Sequence, residues 1–190
     1  MKTSRLEAFS DGVMAIIITI MVLELKIPEA PDFYSLLEVL PVFVSYLVSF
    51  IFIGTYWNGH HHLFQVSEKV NGKVLWANLH LLFWLSLVPF ATSWLGEHYR
   101  AYAPAVFYGF ILFMSGISYN ILVNLLLRHH GNDSLLKQAL GSRRKGNISL
   151  ALYLVGMGLS FFSPLAGIIC YVVVLGLWFV PDRRIENLFE

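Results

Sequence analysis

Apolar residues arrive in runs of about 20, separated by short polar stretches, and this spacing leaves few folds open. A helix of roughly 20 residues crosses the roughly 30 Å of bilayer hydrocarbon. Hydrophobic residues make up 57% of the 190 and charged residues 13%, whereas a soluble domain carries about 25% charged residues. The chain reads as an all-α integral membrane protein of about six transmembrane helices, a single transmembrane domain. Its spans fall near 8–27, 41–65, 74–94, 104–127, 148–163 and 165–180.

The last two spans share one apolar stretch broken at Ser163-Pro164, and each is about 24 Å long by helical rise. A hairpin of two short spans fits this break better than one tilted helix; a re-entrant pair is the alternative. Pro41 and Pro104 mark the entries of the second and fourth spans, where a missing N–H costs nothing. Pro89 lies inside the third span and predicts a bend packed against protein.

Loop charge sets the expected orientation. A cytoplasmic N terminus places Lys2, Arg5, Lys69, Lys73, Arg128, Lys137, Arg143, Arg144, Lys145, Arg183 and Arg184 inside, and leaves only Lys26 and Arg100 outside. That asymmetry favours an even number of spans with both termini in the cytoplasm. A net charge of +1 gives no basic stripe for nucleic acid. Cys170 has no second cysteine to pair with, so neither an internal disulfide nor a thiolate metal site is open to the chain. Lys2 and Arg5 ahead of an apolar run resemble a signal peptide, but Asp11 interrupts the run and no small-residue cleavage pattern follows. The first span is therefore expected to be retained.

That span carries the strongest functional signal. Only twelve uncharged residues separate Asp11 from Glu24, about 18 Å of helix and well short of the hydrocarbon. A carboxylate at membrane depth costs about 2.5–3.5 kcal/mol unless it meets water or protein partners, so the helix is expected inside a bundle or along a cavity. Arg5 is six residues from Asp11, a poor same-face spacing, and a wider network suits Asp11 better. The bland alternative is that Ser10 or Asp11 simply caps the helix. Gly12, Ile16, Thr19 and Leu23 recur at spacings of four, three and four and share one face. Around an axis, copies of that face would make a narrow apolar tube with one ring of hydroxyls, able to gate by dewetting; an ordinary packing stripe would look the same.

Arg5-x-x-x-Phe9-Ser10-Asp11 at the start of a first transmembrane helix resembles the signature of the transmembrane protein 175 family of potassium channels. Trp57-x-x-His60-x-x-Leu63-Phe64, and Asn78-Leu79 followed by Pro89-Phe90, resemble the same family. The resemblance implies a potassium-selective cation channel whose first helices line a central pore in an oligomer, without a Thr-Val-Gly-Tyr-Gly carbonyl filter. It places the constriction at Ile16, a hydroxyl ring at Thr19 and a further apolar ring at Leu23. It makes Arg5, Phe9, Ser10 and Asp11 a helix anchor, with Trp57, His60 and Asn78 as partners. One six-helix repeat implies a prokaryotic member, a homotetramer in the bacterial inner membrane. Its partners would be potassium ions, the lipid bilayer and its own copies, with no cofactor and no metal beyond the permeating ion.

His60, His61 and His62 invite a metal reading, but consecutive helical residues point about 100° apart and cannot converge on one ion. His60 is expected to face protein, and His61 and His62 the cytoplasmic interface. His129 and His130 fall in the loop after the fourth span. Asn120 and Asn124, four apart, are expected to bond another helix. No paired-carboxylate, nucleophile-and-base or phosphate-loop pattern supports catalysis. Ionisable groups at membrane depth keep a second reading open, a proton pathway or secondary transporter; a structural or lipid-interacting membrane protein is a third.

Overall fold

Arg5, Leu6, Glu7 and Ala8 are good helix formers, and in the computed structural model the first helix, α1, accordingly begins at Ser4 and runs to Leu23. The structure describes residues 3–67, 70–130 and 144–179. Lys2, Lys69, Lys137, Arg143, Arg183 and Arg184, six of the cations that set the expected orientation, lie outside the described residues. So does the end of the last span at residue 180. The early start places Ser10 and Asp11 two turns inside α1 and overturns the capping alternative. The helix closes before the expected limit of 27 because Pro28 disfavours helical backbone at Ile27, and Leu25 N–H folds back onto the Val22 carbonyl at 3.2 Å.

Helix α2 spans Ser35–Gln65, so Pro41 is interior to it and is not its entry. The start is set by Asp32, whose Oδ1 accepts from Ser35 N–H at 2.9 Å and from Ser35 Oγ at 3.0 Å, a local cap that fixes the first turn ahead of the proline. The next rod is bent: α3 covers Gly72–Ser86 and α4 Val88–Glu97, with Pro89 buried in the first turn of α4. Proline supplies no N–H to the Leu85 carbonyl, and the break falls at Leu87. Asn71 starts α3 by accepting from Val74 N–H at 3.0 Å. Helix α5 runs Tyr102–His130, with Pro104 in its first turn. His129 and His130 therefore end a helix instead of lying in a loop; the side chain of His130 is outside the described residues. Helices α6 (Arg144–Ser160) and α7 (Pro164–Phe179) form a hairpin across Ser163.

No strand occurs among the described residues. Four rods, Ser4–Leu23, Ser35–Gln65, Gly72–Glu97 and Tyr102–His129, are long and apolar enough to cross a membrane. Helices α6 and α7, of 17 and 16 residues, are shorter. The chain is an all-α integral membrane protein.

Helix α5 is central, packed against α3, α4, α6 and α7, while α1 lies against α2, α3 and α4. Hydroxyls tie the layers together at depth, as expected where no water competes. Ser49 Oγ lies 2.7 Å from Thr92 Oγ1 and 2.8 Å from Tyr108 Oη, joining α2, α4 and α5. Tyr119 of α5 donates to the Gly59 carbonyl of α2 at 3.0 Å. Tyr171 of α7 donates to the Ala105 carbonyl of α5 at 3.2 Å. Among the described residues Asn120 departs from the expectation of an interhelical bond: its Nδ2 donates within α5, to the Gly116 carbonyl at 3.0 Å. Its short side chain finds a carbonyl one turn back, while the residue opposite it, Gly146, offers no side chain.

Candidate functional site: the two faces of the first helix

One face of α1 is bonded into the protein. Leu6, Ser10, Met14, Ile17 and Met21 are buried, at spacings of four, four, three and four. Ser10, wholly buried, donates to the Leu6 carbonyl at 2.9 Å and accepts from Asn78 Nδ2 at 2.9 Å. Because Asn78 spends its N–H on Ser10, its Oδ1 is the acceptor for His60 Nε2 at 2.8 Å. The imidazole proton therefore sits on Nε2, and His60 Nδ1 is left as a buried lone pair without a partner among the described residues. His60 and Asn78 are themselves wholly buried, so α1, α2 and α3 meet at a fully desolvated Ser10–Asn78–His60 relay.

A second, wetter set of bonds lies beside it. Trp57 Nε1 donates to Asp11 Oδ1 at 3.0 Å, which gives the Asp11 carboxylate its protein partner. His61 Nδ1 meets Glu7 Oε1 at 2.9 Å, and the His61 ring stacks on Trp57 with centroids 6.1 Å apart. Glu7 and His61 were not among the sequence-derived partners. Their signal is present in hindsight: Glu7, Ser10 and Asp11 stand at i, i+3 and i+4, as do Trp57, His60 and His61, so two matching helix faces meet. His62 is half-buried, and its Nδ1 has no partner among the described residues. Among the described residues no group of three potential ligands is placed to hold a metal.

The opposite face of α1 is open. Arg5, Phe9, Gly12, Ile16, Thr19 and Leu23 alternate spacings of four and three and are all exposed in the single chain. Ile16 is 58% exposed and Leu23 80%. Thr19 Oγ1 donates to the Ile16 carbonyl at 2.9 Å, which leaves its oxygen lone pairs outward. The sequence motif is thus divided between the faces. Ser10 and Asp11 belong to the bonded face, whereas Arg5 makes no ion pair among the described residues and Phe9 is 53% exposed on the side of Ile16.

A membrane helix bolted to its neighbours along one side, with an apolar stripe broken by one hydroxyl on the other, belongs here to a multi-pass helical membrane protein. The sequence profile of a family described as the endosomal/lysosomal potassium channel TMEM175 matches residues 5–89. A potassium channel from Chryseobacterium sp. (strain P1-3) is 55% identical over 187 residues, covering 98% of this chain and 97% of the relative. A crystal structure of a lysosomal potassium-selective channel TMEM175 homologue from Chamaesiphon minutus superposes with a TM-score of 0.78 at 32% identity, covering 93% of this chain and 96% of that one. The endosomal/lysosomal proton channel TMEM175 of Gallus gallus is 35% identical over 103 residues, 48% of this chain and 21% of that protein. The chain belongs to the TMEM175 family.

Proposed function

We propose that this chain is the pore-forming subunit of a potassium-selective cation channel, in which the 190 residues act as one transmembrane channel domain. The observation that carries this reading is the two-faced first helix: its back is held by Ser10, Asp11 and their partners, and its exposed front presents Ile16, Thr19 and Leu23. Four copies arranged with those fronts inward would enclose a pore whose narrowest ring is Ile16, followed by the Thr19 hydroxyls and the Leu23 ring. An apolar ring selects by dehydration: potassium sheds its water at lower cost than sodium, and Thr19 lone pairs replace part of the lost shell. Ser10, Asp11, Trp57, His60 and Asn78 hold that front in place from behind and are not pore contacts, while Arg5 and Phe9 stand on the front, at its entrance ahead of Ile16.

The channel works as a homotetramer, as the family resemblance implies, in the bacterial inner membrane with both termini in the cytoplasm; the loop charges support the orientation and the bacterial relative the membrane. Its partners are potassium ions, the lipid bilayer and its own copies. Ion flux from proteoliposomes under a potassium gradient tests it: a passive current reversing near the potassium equilibrium potential is expected. Movement of potassium against its gradient would instead establish a coupled carrier.

A proton pathway is the second reading, favoured by the buried Ser10–Asn78–His60 relay, which places a titratable ring at membrane depth. The relay lies behind α1, on the side away from Ile16, and ends at a buried nitrogen without a partner among the described residues. A reversal potential that follows the pH gradient instead of the potassium gradient would establish it.

A further inference from the structure

A groove of about 780 Å³ runs between α1 and the α3–α4 bend. Its apolar floor is made by Ile16 and Ile20 of α1 and by Phe90 and Trp94 of α4, and its rim carries the carboxylates of Glu24 and Glu97. Pro89 creates the space, because the break at Leu87 turns α4 and brings Phe90 and Trp94 to face α1. The two rings lie 6.3 Å apart between centroids, inclined by 34°.

The charge at the rim is not balanced. Lys26 Nζ lies 2.6 Å from Glu97 Oε1 and satisfies that carboxylate. Glu24 is exposed and has no ion pair among the described residues. One carboxylate is therefore left over at the mouth of a slot lined by aromatic faces and aliphatic side chains. From Glu24 to Ile16 is eight residues, about 12 Å along the helix, which sets the depth available to a ligand. Anionic rim, aromatic wall and apolar floor together specify a cation with a hydrophobic body. An apolar body gains by leaving water for aromatic and aliphatic side chains, and a mainly apolar pocket with a few convergent polar groups is the usual form of a small-molecule site.

We propose that this groove is a binding site for amphiphilic ammonium ions, with the ammonium at Glu24 and the apolar body against Phe90, Trp94 and Ile20. The site is centred to one side of the proposed conduction path, on the flank of α1 beside the stripe of Thr19 and Leu23, and shares Ile16 with it. An occupant would therefore touch Ile16 and hold α1 against α4.

The test uses the full chain in liposomes and a benzophenone-tailed trimethylammonium photoprobe, with octyltrimethylammonium as competitor and the uncharged alcohol of the same tail as control. Saturable labelling at Ile20, Phe90 or Trp94, located by mass spectrometry, is expected. Glu24→Gln should weaken the apparent affinity about two- to fivefold, as expected for loss of one exposed charge contact. Ser93→Leu, which fills the groove, should abolish labelling while a thermal unfolding curve shows that the fold is retained. Labelling at Thr19 or Leu23 would place the cation in the pore and overturn the proposal. Competition by the alcohol as effective as by the cation would overturn it in favour of a lipid-chain slot. Absence of saturable labelling would overturn it in favour of a second copy filling the groove. Potassium flux from the same liposomes is read separately, so binding without flux would count against the channel and not against the groove.

Discussion

Asn78 of α3 donates its amide to Ser10 Oγ of α1 across 2.9 Å, in a place that no solvent reaches. The bond joins two helices 68 residues apart in sequence, and its donor has already committed its carbonyl oxygen to His60. Replacing Asn78 by leucine keeps the volume and strands the His60 Nε2–H. A buried donor left without a partner costs about 1–3 kcal/mol. Asn78→Leu should therefore lower the thermal midpoint of the detergent-solubilised protein, and His60→Leu in the same background should recover part of the loss. Equal melting of Asn78→Leu and wild type would remove the relay from the stability of the fold.

The Trp57–Asp11 bond is more solvated, so its loss should matter less for folding. Trp57→Phe keeps the ring but removes the N–H donor that holds Asp11 at 3.0 Å. About 1 kcal/mol or less is expected at such an exposed contact. If Asp11 serves to orient α1, the variant should change flux in proteoliposomes more than it changes the melting curve.

The open face gives the direct test of permeation. Ile16→Asn places a polar side chain in the proposed constriction and should raise current and weaken potassium over sodium selectivity. Thr19→Ala removes the outward lone pairs and should alter selectivity with expression intact. Unchanged permeability ratios in both variants would remove this face from the pore.

Close helix contact is tested at Gly96. A Cβ built there would stand 2.7 Å from the Cα of Val42, a backbone atom that cannot swing aside. Gly96→Ala should destabilise by about 1–3 kcal/mol through overpacking of α4 on α2. Gly176→Ala, where nothing lies within 4 Å, should be neutral or mildly stabilising by helix propensity.

Acid should loosen the first turn of α2. Ser35 N–H and Oγ–H donate to Asp32 and hold its carboxyl below the usual carboxylate range. A lowered folded value means that the cap contributes fully above the ordinary carboxylate pKa and is lost as pH falls through the folded one. The thermal midpoint of wild type should drop over that acidic interval. Asp32→Asn should flatten the dependence, and an identical acid response in both proteins would exclude Asp32 as its source.

The helical membrane class, the bend at Pro89 and the hairpin at Ser163-Pro164 were legible in the chain because each follows from apolar length or from a missing N–H. The start of α2 was not, because Asp32 and Ser35 outrank Pro41 only when the local backbone lets the carboxylate reach back. Glu7 and His61 escaped for a different reason. Exposed charges at helix ends are ordinary, and their pairing depends on how α1 and α2 are rotated about their own axes. The division of the motif is of the same kind: spacing groups Arg5 and Phe9 with Ile16, but only the packed helices reveal that Ser10 and Asp11 face the other way.

Helix α2, at 31 residues, is about 46 Å long, some half as long again as the roughly 30 Å of hydrocarbon it must cross. It can meet that mismatch by leaning, and the angle then depends on the thickness of the surrounding lipid. Trp57, His60 and His61 all belong to this same helix, so whatever sets its inclination is transmitted through side-chain bonds to α1. A change in the acyl-chain length of the host membrane is therefore expected to reach the helix that presents Ile16.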